Sequence, residues 1–121
     1  MKISFHTIAV ATLVISGMAV STTSVAAKRI VFGGGPAGGT FQVVANAIQV
    51  YDPVKNSKDY KVKAQSSAGS IENLRKVNSG KSHFGVVYSG HVYLGREGRL
   101  KNDTNKYEDV MAVAWLYGAP A

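Results

Sequence analysis

Cysteine is absent from all 121 residues, which excludes disulfides, thiolate metal sites and cysteine nucleophiles at once. No pair of arginines precedes the N-terminal apolar run, so any export would use the general unfolded route and not one that carries a protein already folded around a cofactor. That run, Ile8 to Val20, is short and broken by small and polar residues. A membrane span needs about 20 apolar residues, so the run does not read as an anchor. Acids are scarce, seven against 14 Lys and Arg, for a formal charge of +7. The cations are nonetheless scattered (Lys55, Lys58, Lys61, Lys63, Arg75, Lys76, Arg96, Arg99, Lys101), with no dense run and no aromatic interleaving. They read mostly as solvated faces and not as a nucleic-acid stripe, although their summed field would draw in small anions.

What is present begins with Lys2, the apolar run, and Ser24-Val25-Ala26-Ala27. Together these make a secretory signal peptide over residues 1–27, cleaved after Ala27, and imply a periplasmic protein. The remainder, 28–121, is enough for one small domain.

Within it, Arg29-Ile30-Val31-Phe32 is a short β-branched run that stops abruptly at glycines, as a buried parallel strand does before a crossover helix. Phe41, Val44, Ala45 and Ile48 then follow a 3.6-residue period, giving a helix from Thr40 that must stop before Pro53. Tyr60 to Gln65 alternates as a half-exposed strand. Ser66 to Ser70 opens a second helix with Ser70 as its N-cap, an apolar stripe of Ile71, Leu74 and Val77, and Gly80 as its C-terminal stop. Phe84 to Val87 is a third strand, followed by a short helix through Leu94, a loop over 95–108, and a fourth strand from Val110 to Leu116 in which Trp115 is core. Alternating strands and helices predict an α/β fold with a mostly parallel sheet and helices on both faces. In such a fold the loops 33–39, 66–70 and 88–90 emerge at one C-terminal sheet edge, each opening a positive helix end. Three of them together form a site for a carboxylate or phosphate.

The glycine turn Gly33-Gly34-Gly35-Pro36-Ala37-Gly38-Gly39-Thr40 carries two rival readings. As Gly33-x-Gly35-x-x-Gly38 it matches the dinucleotide fingerprint, and its wording resembles the FAD-binding turn of flavoprotein oxidoreductases. The ribose-holding acid that should close the second strand is missing, since Gln65 or Ser66 stands there. As a phosphate loop it has the spacing, but Gly39 replaces the lysine. A third reading is a turn that merely packs a helix on the sheet.

The stretches Gly69-Ser70-Ile71-Glu72-Asn73-Leu74, Phe84-Gly85-Val86-Val87-Tyr88-Ser89 and Ala112-Val113-Ala114-Trp115-Leu116-Tyr117 follow that turn in order. Together they resemble the TAXI subgroup of extracytoplasmic solute-binding proteins that serve TRAP transporters. The resemblance implies a type II periplasmic-binding-protein fold of two α/β lobes, with a ligand held between them and a membrane permease pair as partner. It implies a small carboxylate such as glutamate or 2-oxoglutarate, held by Gly38, Gly39 and Thr40 from the first helix, Gly69 and Ser70 from the second, and Tyr88 and Ser89 from the third loop. The residues themselves lead to the expectation of no cofactor, no metal, no nucleic acid and no enzymatic activity. Family members are much longer, so 28–121 is expected to be a truncated first lobe with the second missing. The family's turn usually carries hydroxyls where this chain has Gly34 and Ala37, and an acid or amide where it has Gly90, so ligand identity stays open.

His83 and His91 lie eight apart across a strand and a turn, with no acid or third histidine at ligand spacing. They read as solvated or capping residues. Neither is placed by sequence to act as a base for Ser67 or Ser70, so no catalytic constellation emerges.

Overall fold

The computed structural model describes residues 26–118. The signal-peptide segment therefore lies almost wholly outside the described residues. Three strands, β1 (Lys28–Gly33), β2 (Tyr60–Gln65) and β3 (Phe84–Gly85), form one parallel sheet in the order β2-β1-β3. Between β1 and β2 run helix α1 (Thr40–Val50) and the single turn α2 (Asp52–Lys55); α3 (Ser70–Asn78) joins β2 to β3, and α4 (Ser89–Arg96) follows β3. The chain leaves β1 sideways to reach β2 and then passes back over β1 to reach β3. With right-handed crossovers, these opposite steps put α1 and α3 on opposite faces of the sheet.

The local reasons are visible in the residues. β2 is an edge strand, and its Lys61 and Lys63 face outward while Tyr60, Val62 and Ala64 are half-buried, a charge pattern that blunts an exposed edge. Its Ala64 amide donates to Gln49 Oε1 of α1 at 2.6 Å. Helix α1 stops at Val50 as expected, yet Asp52 is helical, because Pro53 falls in the first turn of α2, where its missing N–H costs no bond. Gly80 ends α3 at φ +71°, its amide bonded to the Val77 carbonyl at 3.0 Å, the left-handed stop that glycine supplies.

Two expectations fail. Val110 to Leu116 forms no strand; residues 111–118 are irregular, and Trp115 is 80 % exposed with Met111 and Val113 beside it. The apolar run suits a strand, but among the described residues no neighbouring strand pairs with it to complete a ladder. Trp115 is consequently no part of the core. The third strand is also shorter than Phe84 to Val87, although the Val86 amide still reaches the Gly33 carbonyl at 3.0 Å.

The core that replaces the expected one comes from the segment read as loop together with Val110, the first residue of the expected strand. Leu100, Tyr107 and Val110 bury themselves against Leu74 of α3, with Ile71, Val77, Val87, Val92 and Leu94 around them. Gly95 is required at this junction, because a Cβ there would overlap Leu74. The segment is tied down by Asp103, which is buried. Its Oδ2 accepts from the Tyr107 hydroxyl at 2.7 Å and from Arg75 Nε at 2.9 Å, and its Oδ1 from the Asn105 amide group at 2.9 Å. Arg75 is thus a structural ion-pair partner and not simply a solvated charge.

Tyr107 first, then Arg75, hold the Asp103 carboxyl well below the usual carboxylate range. A carboxyl depressed on folding contributes stability above its unfolded value of about 4, and that contribution is lost as pH falls below it. Asp103→Asn is therefore expected to melt roughly 5–10 °C below the wild type at pH 7. The gap should narrow as the pH is lowered from about 4. Thermal melts by circular dichroism across that range check this, and a gap independent of pH would count against it.

Candidate functional site

Because the sheet is parallel, the loops after β1, β2 and β3 open at one edge, and hydrogen bonds sew them together. Gly34 N–H donates to the Gln65 carbonyl at 2.8 Å, Ser67 N–H to the Gly35 carbonyl at 3.2 Å, and Ser67 Oγ to the Gly34 carbonyl at 3.0 Å. Those bonds join the first loop to the second. The second is joined to the third through Ser70 Oγ, which accepts from the Tyr88 amide at 3.0 Å and lies 2.8 Å from His91 Nδ1. The Tyr88 ring closes the circuit, 4.9 Å from Phe41 of α1 and 5.6 Å from His91.

Beneath the loops lies Asn73, fully buried. Its Nδ2 donates to the Gly34 carbonyl at 2.6 Å, to the Val86 carbonyl at 2.9 Å and more weakly to the Gly33 carbonyl at 3.4 Å. One α3 side chain thereby fixes the exits of both β1 and β3. Room for it is made by Gly33 and Gly85, which face each other in the ladder; a Cβ on Gly33 would stand 2.5 Å from Asn73 Oδ1 and one on Gly85 2.9 Å from Asn73 Cβ. The first glycine of the turn, Gly33, is thus explained by packing. Gly38 is not, since it has φ +81° and open space where a side chain would begin.

The helix starts at this edge share one property. Neither α1, α3 nor α4 carries a side-chain cap, their N-caps being Gly39, Gly69 and Tyr88. Ser70, expected to cap α3, is instead its first helical residue and turns its hydroxyl to the third loop. An uncapped helix leaves its first-turn amides without an intrahelical acceptor, and here those include Thr40, Ser70 and Ser89. Three positive helix ends of this kind favour an anion.

The structure distributes the expected site residues unevenly. Ser70 and Tyr88 are in direct contact, and Gly69 is buried beside them at φ +108°. Thr40, Ser89 and Gly38 are exposed at the same edge, and Gly39 is half-buried with its amide bonded to the Pro36 carbonyl at 3.0 Å. The Tyr88 amide is committed to Ser70, so Tyr88 presents its half-exposed ring and not its N–H. His91 is the residue that sequence reasoning set aside. It occupies the first turn of α4 and is brought to Ser70 by the placement of α4 beside α3, a proximity across 21 positions that spacing does not reveal. His83, by contrast, accepts the Val31 amide on Nδ1 at 3.0 Å and extends the ladder beside β3. Among the described residues no group of three His, Asp or Glu gathers as a metal site.

The charges at the edge are few. No Lys or Arg occurs in residues 33–40, 66–70 or 86–91. Glu72 lies in the first turn of α3, but its carboxylate is spent on Lys76 and on the Ala68 amide at 2.6 Å, which hold it below the usual range. Burial, with the Tyr88 phenol nearby, pushes the Tyr117 hydroxyl up. Two grooves lie away from this edge, one of about 420 Å³ beside Gln49, Val54 and Lys61 and another of about 610 Å³ between Val92 and Met111. The candidate site is an edge on which Gly38, Thr40 and Ser89 are exposed.

A family model described as NMT1-like matches residues 32–120, from the last two residues of β1 through the three loops and the core segment. The chain belongs to the NMT1-like family. No curated protein and no solved structure matches it. The NMT1-like family is a periplasmic-binding-protein-like one, and its members are binding proteins typically found in the periplasm or outside the cell. The parallel sheet flanked by helices agrees with a lobe of such a protein. Membership also bears on the flavin alternative, which needs an acid at the end of β2. Gln65 stands there, directly beside Gly33 in the ladder.

Proposed function

We propose that this chain is a solute receptor of the TAXI type, exported through a signal peptide over residues 1–27, which delivers a small organic anion to a TRAP-type permease. The described domain acts as the first lobe of a two-lobed clamp. The observation that carries the reading is the meeting of three uncapped helix N-termini at one sheet edge, with family membership in support. A carboxylate such as glutamate or 2-oxoglutarate would lie across Gly38, Gly39 and Thr40 of the first loop, Gly69 and Ser70 of the second, and Tyr88 and Ser89 of the third. First-turn amides would take its oxygens, and the Tyr88 ring would cover its carbon chain. Neither a cofactor nor a catalytic step is part of this function.

Native mass spectrometry of the protein purified from the periplasm tests it. The expected species is colourless, begins at Lys28 and carries a small acidic adduct. A yellow preparation with a flavin-sized adduct would overturn it in favour of an FAD-binding oxidoreductase. An N-terminus at Met1 would remove the cleavage after Ala27.

A further inference from the structure

Resting on that reading of the site, we infer that His91 is a positioning residue which, by gaining and losing a proton, decides whether Ser70 can donate a hydrogen bond to a bound anion. Ser70 is more than nine-tenths buried, and its hydroxyl has two neighbours, the Tyr88 amide at 3.0 Å and His91 Nδ1 at 2.8 Å. A hydroxyl has one proton to give and two lone pairs to receive. The amide can only donate, so it takes one lone pair in every state. What His91 does with the other side of the oxygen then determines where the hydroxyl proton goes.

With Nδ1 unprotonated, the imidazole accepts from Ser70, and the hydroxyl proton points inward. Ser70 is then spent. With the ring protonated at both nitrogens, Nδ1 becomes a donor to Oγ. Oγ now accepts from both the Tyr88 amide and His91, and its own proton turns outward to whatever lies on the edge. The same proton places a positive charge next to Ser70, in loops that contain no Lys or Arg. Both effects have one sign, so anions are held more tightly as the pH falls.

The other groups facing His91 do not imitate this. Packed against it from α1 is Phe41 by way of Tyr88, which is uncharged. From α3 come Ser70 and, farther along the first turn, Glu72, already engaged by Lys76 and the Ala68 amide. The Tyr117 phenol is pushed up by burial. Imidazole is the side chain whose charge ordinarily changes between pH 5 and 8.

The test follows backbone amides by NMR in the purified full chain during titration with 2-oxoglutarate and, separately, with sulfate, whose charge does not change between pH 5.5 and 8. Saturable shifts at Thr40, Ser70 and Ser89 are expected, with affinity for both probes about 10-fold higher at pH 5.5, the size of one added charge-assisted hydrogen bond. In His91→Gln that ratio should collapse towards one while binding at pH 8 persists, and Ser70→Ala should lose most of the ratio with His91 intact. Long-range proton–nitrogen spectra of the His91 ring, taken with no ligand, should show Nδ1 unprotonated at pH 8. A pH ratio that survives in His91→Gln, or no ratio in the wild type, or a protonated Nδ1 at pH 8, overturns the role of His91 while leaving the anion site standing. Absence of any edge shift with either probe at either pH removes the site and the inference together.

Discussion

Ser70→Asp is expected to lower affinity for a small carboxylate by 10-fold or more, measured by calorimetric titration with glutamate and 2-oxoglutarate. Ser70 lies where the second and third loops touch, with its hydroxyl against the Tyr88 amide and His91. Aspartate at that point would still accept from the amide, so the loop geometry has a route to survive. What changes is the charge. A carboxylate at the start of α3 occupies the positive end of that helix itself, which stabilises the helix while cancelling the field offered to a ligand. It also meets the incoming anion as a like charge in a partly desolvated place, where such encounters cost several kcal/mol. Ser70→Ala separates the contributions, since it removes the hydroxyl but adds no charge, and should weaken binding less. Unchanged affinity in Ser70→Asp, with a native far-ultraviolet spectrum, would remove the second loop from the site.

Asn73→Leu is expected to lower the melting temperature by roughly 10–20 °C and to loosen the first and third loops together. Leucine is close to asparagine in size, but it cannot donate to the Gly34 and Val86 carbonyls, now bonded at 2.6 and 2.9 Å. The Val86 carbonyl, left buried without a partner, costs about 1–3 kcal/mol, while the Gly34 carbonyl keeps only the Ser67 hydroxyl. In a domain this small, each kcal/mol is worth about 4–8 °C. Leucine would also press its branched end against Gly33 and Gly85, whose missing side chains leave room only for the flat amide. A partial offset comes from Asn73 Oδ1, which is buried without a partner and would no longer need one. Hydrogen exchange adds a sharper readout than melting alone. Amides of residues 33–35 and 86–88 should lose protection together, because one side chain holds both strand exits. Loss confined to one loop, or a melting point within a few degrees of the wild type, would show that the brace is redundant.

These two residues also show how differently sequence and structure speak. Ser70 stood out in the chain because serines gather with Gly69 at a helix start, and the edge on which it lies followed from the alternation of strands and helices. Its role as an N-cap did not follow, because capping depends on the backbone angle at one residue, and Gly69 at φ +108° takes that place. Asn73 gave no signal as a brace. A buried amide and a solvated one are written with the same letter, and only the register of Gly33 with Gly85 opens the gap it fills.

The C-terminal part of the chain divides in the same way. Charge, glycine and asparagine made 95–108 a loop, which it largely is, but whether a loop is solvated depends on what it folds back upon. Leu100, Tyr107 and Val110 fold back on Leu74, and the buried Asp103 anchors them through Arg75. Met111 to Tyr117 had the opposite fate, since an apolar run becomes a strand only when another strand offers it bonds.

By itself, then, the sequence determined the periodicities: where β1, α1, β2, α3 and α4 begin and end to within a turn, that the strands run parallel, and that three helix starts share one edge. Those properties are local, set by side-chain spacing, proline and glycine, and by the handedness every chain obeys. Tertiary structure decided what is not local. It selected the loop segment over Trp115 for the core, assigned Gly33 to packing around Asn73, and placed His91 against Ser70. Each is a meeting of residues far apart in the chain, and such a meeting is settled by which faces are left to be covered once the sheet has formed.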